Sequence, residues 1–168
     1  LGVGRHDVGD VEGARVGFFD LLADRAERVV DRPVVEQIER DIGPIEVLVF
    51  NIGANVPCSI LEETARKYFK IWEMACFSGF LNAREVAKRQ VQRGRGTILF
   101  TGATAGTRGA AGFAAFAGAK HALRALAQSM ARELGPRGIH VAHVVVDGAI
   151  DTEFIRTQFP DRYALKAQ

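Results

Sequence analysis

The sequence predicts an α/β protein built on a parallel sheet flanked by long helices. Two observations predict it. From about residue 45 onward, short β-branched runs alternate with long amphipathic helical stretches. Each strand-like run also ends in a turn that carries glycine. Strands and long helices at this spacing argue for a parallel sheet joined by right-handed crossovers.

The elements follow in order. I-E-V-L-V-F at 45–50 is a short strand, broken by Asn51-Ile52-Gly53. Over 62–92, Ala65, Phe69, Trp72, Ala75, Phe80, Ala83 and Val86 recur at helical spacing, and Arg93-Gly94-Arg95-Gly96 stops the helix. T-I-L-F-T at 97–101 is a second strand, followed by a Gly/Ala-rich stretch over 102–112. A second long helix spans 113–134 and ends at Gly135-Pro136-Arg137-Gly138. I-H-V-A-H-V-V-V at 139–146 is the third strand, running into Asp147-Gly148. Upstream, 20–42 reads as helical with Pro33 splitting it, 14–19 as a short strand, and 1–13 as glycine-bearing chain without a strand-like run. The expected organisation is a divergent segment over 1–33, a core over 34–152, and the start of a truncated loop region over 153–168.

Composition excludes several classes of function. With 22 basic against 20 acidic residues the net charge is +2, which gives no electrostatic reason to expect nucleic acid. The basic cluster Arg84, Lys88, Arg89, Arg93 and Arg95 is interrupted by Glu85 and lacks interleaved aromatics, as on a solvated helix end. Cys58 and Cys76 provide neither a disulfide framework nor metal-ligand spacing. His140 and His143 point to opposite faces of one strand, so no metal is expected. No apolar run reaches the ~18 residues of a membrane span and no signal segment is evident, so a cytoplasmic protein is expected.

Three stretches, read together, resemble the short-chain dehydrogenase/reductase family. L-V-F-N-I-G-A-N at 48–55 is similar to the family's strand ending in Asn-Asn-Ala-Gly, with Asn51 and Gly53 matching and Ile52 and Ala54 departing. G-T-I-L-F-T-G-A-T-A-G at 96–106 is similar to the strand that ends at the catalytic serine. G-F-A-A-F-A-G-A-K at 112–120 is similar to the start of the Tyr-x-x-x-Lys helix. The resemblance runs from about Val34 to Thr152 and implies the later half of a partial Rossmann-like three-layer fold. It also implies NAD or NADP as cofactor and a small carbonyl or alcohol as substrate.

Residues four apart share a helix face, so the family's lysine sits beneath the tyrosine phenol. Its charge lowers the phenol pKa and makes it a proton donor or acceptor. The resemblance places Phe116 at the tyrosine position, Ala103 at the serine position with Thr104 the nearest hydroxyl, and Ala75 at the asparagine position. Lys120 alone keeps its family identity. Read without the resemblance, Lys120 also suits a boundary lysine whose stem lies over apolar surface. Asn51, Gly53, Lys120, Gly148 and Thr152 are the candidate cofactor contacts, Gly148 and Thr152 through a segment similar to the family's Pro-Gly-x-x-x-Thr with Asp147 in place of proline. The glycine-rich phosphate loop that opens the family's fold has no counterpart at Gly2-Val3-Gly4. The stretch T-G-A-T-A-G-T-R-G at 101–109 follows a strand but misses the dinucleotide fingerprint by one residue.

Two readings stay open. One is an oxidoreductase with impaired or absent activity. The other is a non-catalytic interaction or oligomerisation protein that keeps the helices 62–92 and 113–134, which pair with a second copy in the family. An unpaired edge at 48–50 also predicts self-association.

Overall fold

The computed structural model describes residues 32–148, 150 and 153–158. The expectations for 1–31, the candidate contact Thr152 and the last ten residues lie outside the described residues. In chain order the elements are α1 (Arg32–Asp41), β1 (Val47–Phe50), α2 (Ala65–Trp72), a π-helical turn (Glu73–Phe77), α3 (Ser78–Arg93), β2 (Gly96–Ala103), a 3-10 turn (Thr104–Gly106), α4 (Ala114–Leu134), a second 3-10 turn (Gly135–Arg137), β3 (Ile139–Val146) and α5 (Glu153–Gln158).

The strands form one parallel sheet in the order β1-β2-β3, with Phe50 opposite Phe100 and Phe100 opposite His143. Period-two alternation sets the faces. Phe50, Ile98, Phe100, Ile139 and Val141 are buried and belong to one core cluster with Ala119, Leu123 and Ala127 of α4 and Ala83 and Ala87 of α3. The small residues of α4 let its backbone approach the sheet. Phe50 and Phe100 meet edge to face with centroids 6.2 Å apart, a favoured aromatic geometry. On the opposite face Val47, Val49 and Val144 are exposed.

Two differences from the sequence-based expectation have physical causes. The long helix expected over 62–92 starts at Ala65, where the Thr64 side chain accepts from the Lys67 N–H as an N-cap. It is then interrupted by the π turn Glu73–Phe77, which leaves the adjacent residues Ala75 and Cys76 both buried. Periodicity at 3.6 residues cannot register a turn that holds one residue more. The second strand continues two residues past Thr101 to Ala103, because β3 pairs with it through Gly102↔Val145 and Ala103↔Val146.

The starts of β1 and β2 are clasped by Gln90. It is wholly buried, and its Nε2 lies 3.1, 3.2 and 3.4 Å from the carbonyls of Ile45, Glu46 and Thr97. Arg93 fastens α1 to the same end, donating to both oxygens of Glu39 and to the Ile45 carbonyl. The amino ends of the strands are thus held by side chains, and the carboxyl ends are left to build a site.

Candidate functional site

In an open parallel sheet, ligands bind in the crevice outside the carboxyl ends of the strands. Here β1 runs into Asn51–Gly53, β2 into the turn Thr104–Gly106 and β3 into Asp147-Gly148. Lys120, from the second turn of α4, reaches this end of the sheet and is 4% exposed. Its Nζ donates to Thr101 O at 2.8 Å and to Ile52 O at 3.3 Å, tying the end of β2 to the loop after β1. It is therefore a buried, backbone-anchored lysine and not a boundary residue. Gly53 lies alongside: a Cβ there would stand 3.8 Å from Nζ, Cε and the Phe116 ring.

Phe116 precedes Lys120 by one turn, is buried, and centres its ring 5.8 Å from Nζ. It packs in a small cluster with Ile71 and Ala115, against Ala54, Ala103 and Ala105. The fold thus packs Phe116 against Ala103 in apolar surroundings. Ala75 is fully buried in the main core. Burial pushes the Lys120 pKa down, partly offset by the neighbouring Cys76, and burial pushes the Cys76 thiol up.

Thr104 opens the 3-10 turn, and its hydroxyl donates to the Asp147 carboxylate across the ends of β2 and β3. Its own carbonyl accepts from the Thr107 and Arg108 N–H groups and from the Thr107 hydroxyl. Sequence reasoning kept Thr104 and passed over Asp147. The available signal was a carboxylate placed directly before the turn glycine at the end of a strand. Asn51 and Gly148 are both exposed at this mouth, Gly148 with φ +141°. The glycine-rich stretch at 101–109 ends a strand and enters a three-residue 3-10 turn, whereas α4 begins only at Ala114. It therefore presents no helix N-terminus to a phosphate.

His143 is a second residue that sequence reasoning left aside. Its ring lies over Gly102, where any Cβ would overlap the imidazole, and its Nε2 is buried without a hydrogen-bond partner. Burial, then the charges of Arg124 and Lys120, depress its pKa. Among the described residues no group of three or more His, Cys, Asp or Glu side chains could hold a metal, and no helix is long and apolar enough to cross a membrane.

A family model described as short chain dehydrogenase matches residues 11–162. The chain belongs to the short-chain dehydrogenase family. The match extends upstream of Val34, where the recognisable motifs begin. The 3-oxoacyl-[acyl-carrier-protein] reductase MabA of Mycobacterium avium is 34% identical over 146 residues, which are 86% of this chain and 56% of MabA. A short-chain dehydrogenase from Rhodopseudomonas palustris, known as a crystal structure, is 52% identical with a TM-score of 0.61, over 75% of this chain and 57% of that one. A gluconate 5-dehydrogenase from Burkholderia cenocepacia J2315, solved with NADP and tartrate, shares the fold with a TM-score of 0.70 at 22% identity, over 75% of this chain and 49% of its own. The chain thus spans about half the length of these short-chain dehydrogenases. It is an oxidoreductase-family, Rossmann-fold chain, and its family uses NAD(P).

Proposed function

We propose that this chain is the later half of a nicotinamide-nucleotide-binding unit whose proton-transfer machinery has been lost. The observation that carries the reading is Lys120 buried against the Phe116 ring, with Ala103 in the same apolar cluster. Phe116, Ala103 and Ala75 stand where the family has tyrosine, serine and asparagine. Losing the general acid–base costs about 10²–10⁴ in rate, and losing an oxyanion donor roughly 10²–10³ more. Thr104 offers a hydroxyl at the mouth, already committed to Asp147.

The strand-end residues fit the nicotinamide-ribose end of NAD or NADP: a buried lysine nitrogen lies next to a glycine that carries no side chain, at the crevice where such ligands bind. Lys120 and Gly53 would border the ribose, Asn51 would support the turn, and Gly148 would face the carboxamide. Bound there, the nucleotide supplies or accepts a hydride. What the chain itself does is position that end and exclude water around Lys120. A carbonyl or alcohol is the substrate class to try, in line with MabA's description as a 3-oxoacyl reductase.

Titration with NAD(H) and NADP(H), read by thermal shift, tests the reading. Saturable binding without turnover of a carbonyl panel supports it. No binding at millimolar nucleotide, or turnover at a rate normal for an oxidoreductase, overturns it. The double variant Phe116→Tyr, Ala103→Ser is expected to gain measurable reduction where the wild type has none.

A second reading is favoured by the surface between α3 and α4. An open groove of about 600 Å³ is lined there by Phe80, Val91, Leu126 and Met130, among others, next to the stacked rings of Trp72, Phe77 and Phe80. A second copy of the chain is the proposed occupant, joined through these two helices. Sedimentation at micromolar concentration is expected to show a dimer, and a monomer would remove this reading. A reducing, cytoplasmic setting suits Cys58 and Cys76, both free thiols.

A further inference from the structure

Lys120 has a capacity that hydride chemistry leaves unused. An ammonium carries three N–H donors, whereas a neutral amine carries two and a lone pair. Among the described residues, Nζ has two acceptors at hydrogen-bond distance, Thr101 O and Ile52 O, and no carboxylate within ion-pair distance. Its remaining direction is bounded by the Phe116 ring, 5.8 Å to the centroid, and by the backbone of Gly53. Two acceptors match the two hydrogens of the amine and leave the lone pair for a partner. A third ammonium hydrogen would face a ring that offers only a weak cation–π contact at this separation.

We propose that Lys120 is a nucleophilic amine that condenses with small aldehydes or ketones to form an imine at the carboxyl ends of the strands. The Nζ lone pair attacks the carbonyl carbon, and the C=O π pair moves to oxygen. Proton transfer from nitrogen gives a carbinolamine. The second N–H hydrogen then leaves with that oxygen as water, and a C=N bond replaces the C=O. The balance is one amine and one carbonyl giving one imine and one water, with no oxidant, reductant or nucleotide. The chemistry therefore stands apart from the cofactor reading and survives its failure.

Three features of the surroundings favour the step. Burial among apolar side chains disfavours the ammonium and lowers the Lys120 pKa, which is the usual way a lysine is activated for imine formation. Burial also pushes the Cys76 thiol up, so its charge offsets the lowering of Lys120 only in part, and Phe116 supplies no anion. Gly53 is exposed and lacks a side chain directly beside Nζ, so the approach is narrow and selects small carbonyl compounds.

Reductive trapping tests the proposal without any nucleotide. The full chain is incubated at neutral pH with acetaldehyde and cyanoborohydride, and alkylation is mapped by peptide mass spectrometry. Lys120 is expected to be labelled severalfold faster than Lys67, Lys70 and Lys88, since burial favours its neutral amine. Equal or slower labelling of Lys120 overturns the proposal. Phe116→Tyr provides the second measurement, because a phenol beside Nζ engages its lone pair or holds the ammonium. Labelling of Lys120 is expected to fall severalfold while Lys67 is unchanged, with folding checked by circular dichroism. Undiminished labelling in that folded variant also overturns the proposal.

Discussion

Replacing Gly96 by alanine tests how the amino end of the sheet is held. A Cβ at Gly96 would stand 2.5 Å from Gln90 Cγ and Oε1, and nearer still to Cδ. Gln90 has no slack to give: it is wholly buried and anchored on three carbonyls. Overpacking of this kind costs about 1–3 kcal/mol, and disturbing the Gln90 hydrogen bonds costs about 0.5–1.5 kcal/mol more, because the Ile45 and Glu46 carbonyls keep Arg93 and the Thr97 N–H as donors. The φ of +156° at Gly96 adds strain for any side chain. The expected loss is about 2–4 kcal/mol, a large part of the ~5–15 kcal/mol by which domains are stable. Urea unfolding followed by circular dichroism reads it as a fall in midpoint at unchanged slope. Gln90→Ala alone is expected to cost about 2–3 kcal/mol, since an amide with an unpaired Oε1 leaves with its hydrogen bonds. In the double variant the new Cβ occupies space that Gln90 has vacated. The two losses should then fall short of additivity by at least ~1.5 kcal/mol, well beyond the ~0.5 kcal/mol scatter of independent sites. A Gly96→Ala loss under about 1 kcal/mol, or losses that simply add, would refute the clasp.

Two further outcomes concern pH. Burial pushes the Glu39 pKa up, but hydrogen bonds from Arg93 and the Ile45 N–H, with the charges of Arg93 and Arg89, outweigh it and hold the carboxyl below its ordinary range. That stabilisation is present above the unfolded carboxyl pKa of about 4.3 and is lost as pH falls through the lower folded value. Arg93→Ala should therefore be less stable at pH 7, with the gap to wild type closing on acidification below about pH 4; a gap independent of pH contradicts this. For His143 the folded pKa lies below the unfolded value of about 6.5, so the unfolded chain binds more protons there. Stability should fall as pH drops through about 6.5, and His143→Gln should remove that component of the slope. An unchanged slope in the variant would place the titration elsewhere.

Much of the fold was legible because it is written at short range. Period-two runs, helical periodicity and the glycine stops name β1, β2, β3 and the two long helices, and the Phe116–Lys120 spacing places both on one helix face whatever the rest of the chain does. The π turn at Glu73–Phe77 was not legible, because its extra residue per turn is accommodated by packing against α4 and leaves no mark in a 3.6-residue pattern. The site divided in the same way. Lys120, Phe116, Ala103 and Thr104 follow from local spacing and family resemblance. Asp147 and His143 acquire their meaning from residues more than 40 positions away, Thr104 and Gly102 respectively.

The strand–helix order, the parallel sheet and the apolar identity of residue 116 depend on side-chain type and local period, so they are written along the chain. The environment of Lys120 is not. A lysine four residues after a phenylalanine could lie along the surface or point inward. The pairing of β1 with β2 brings the loop after β1 and the end of β2 within reach of its nitrogen, which donates to the carbonyls of Ile52 and Thr101, and burial disfavours its charged form.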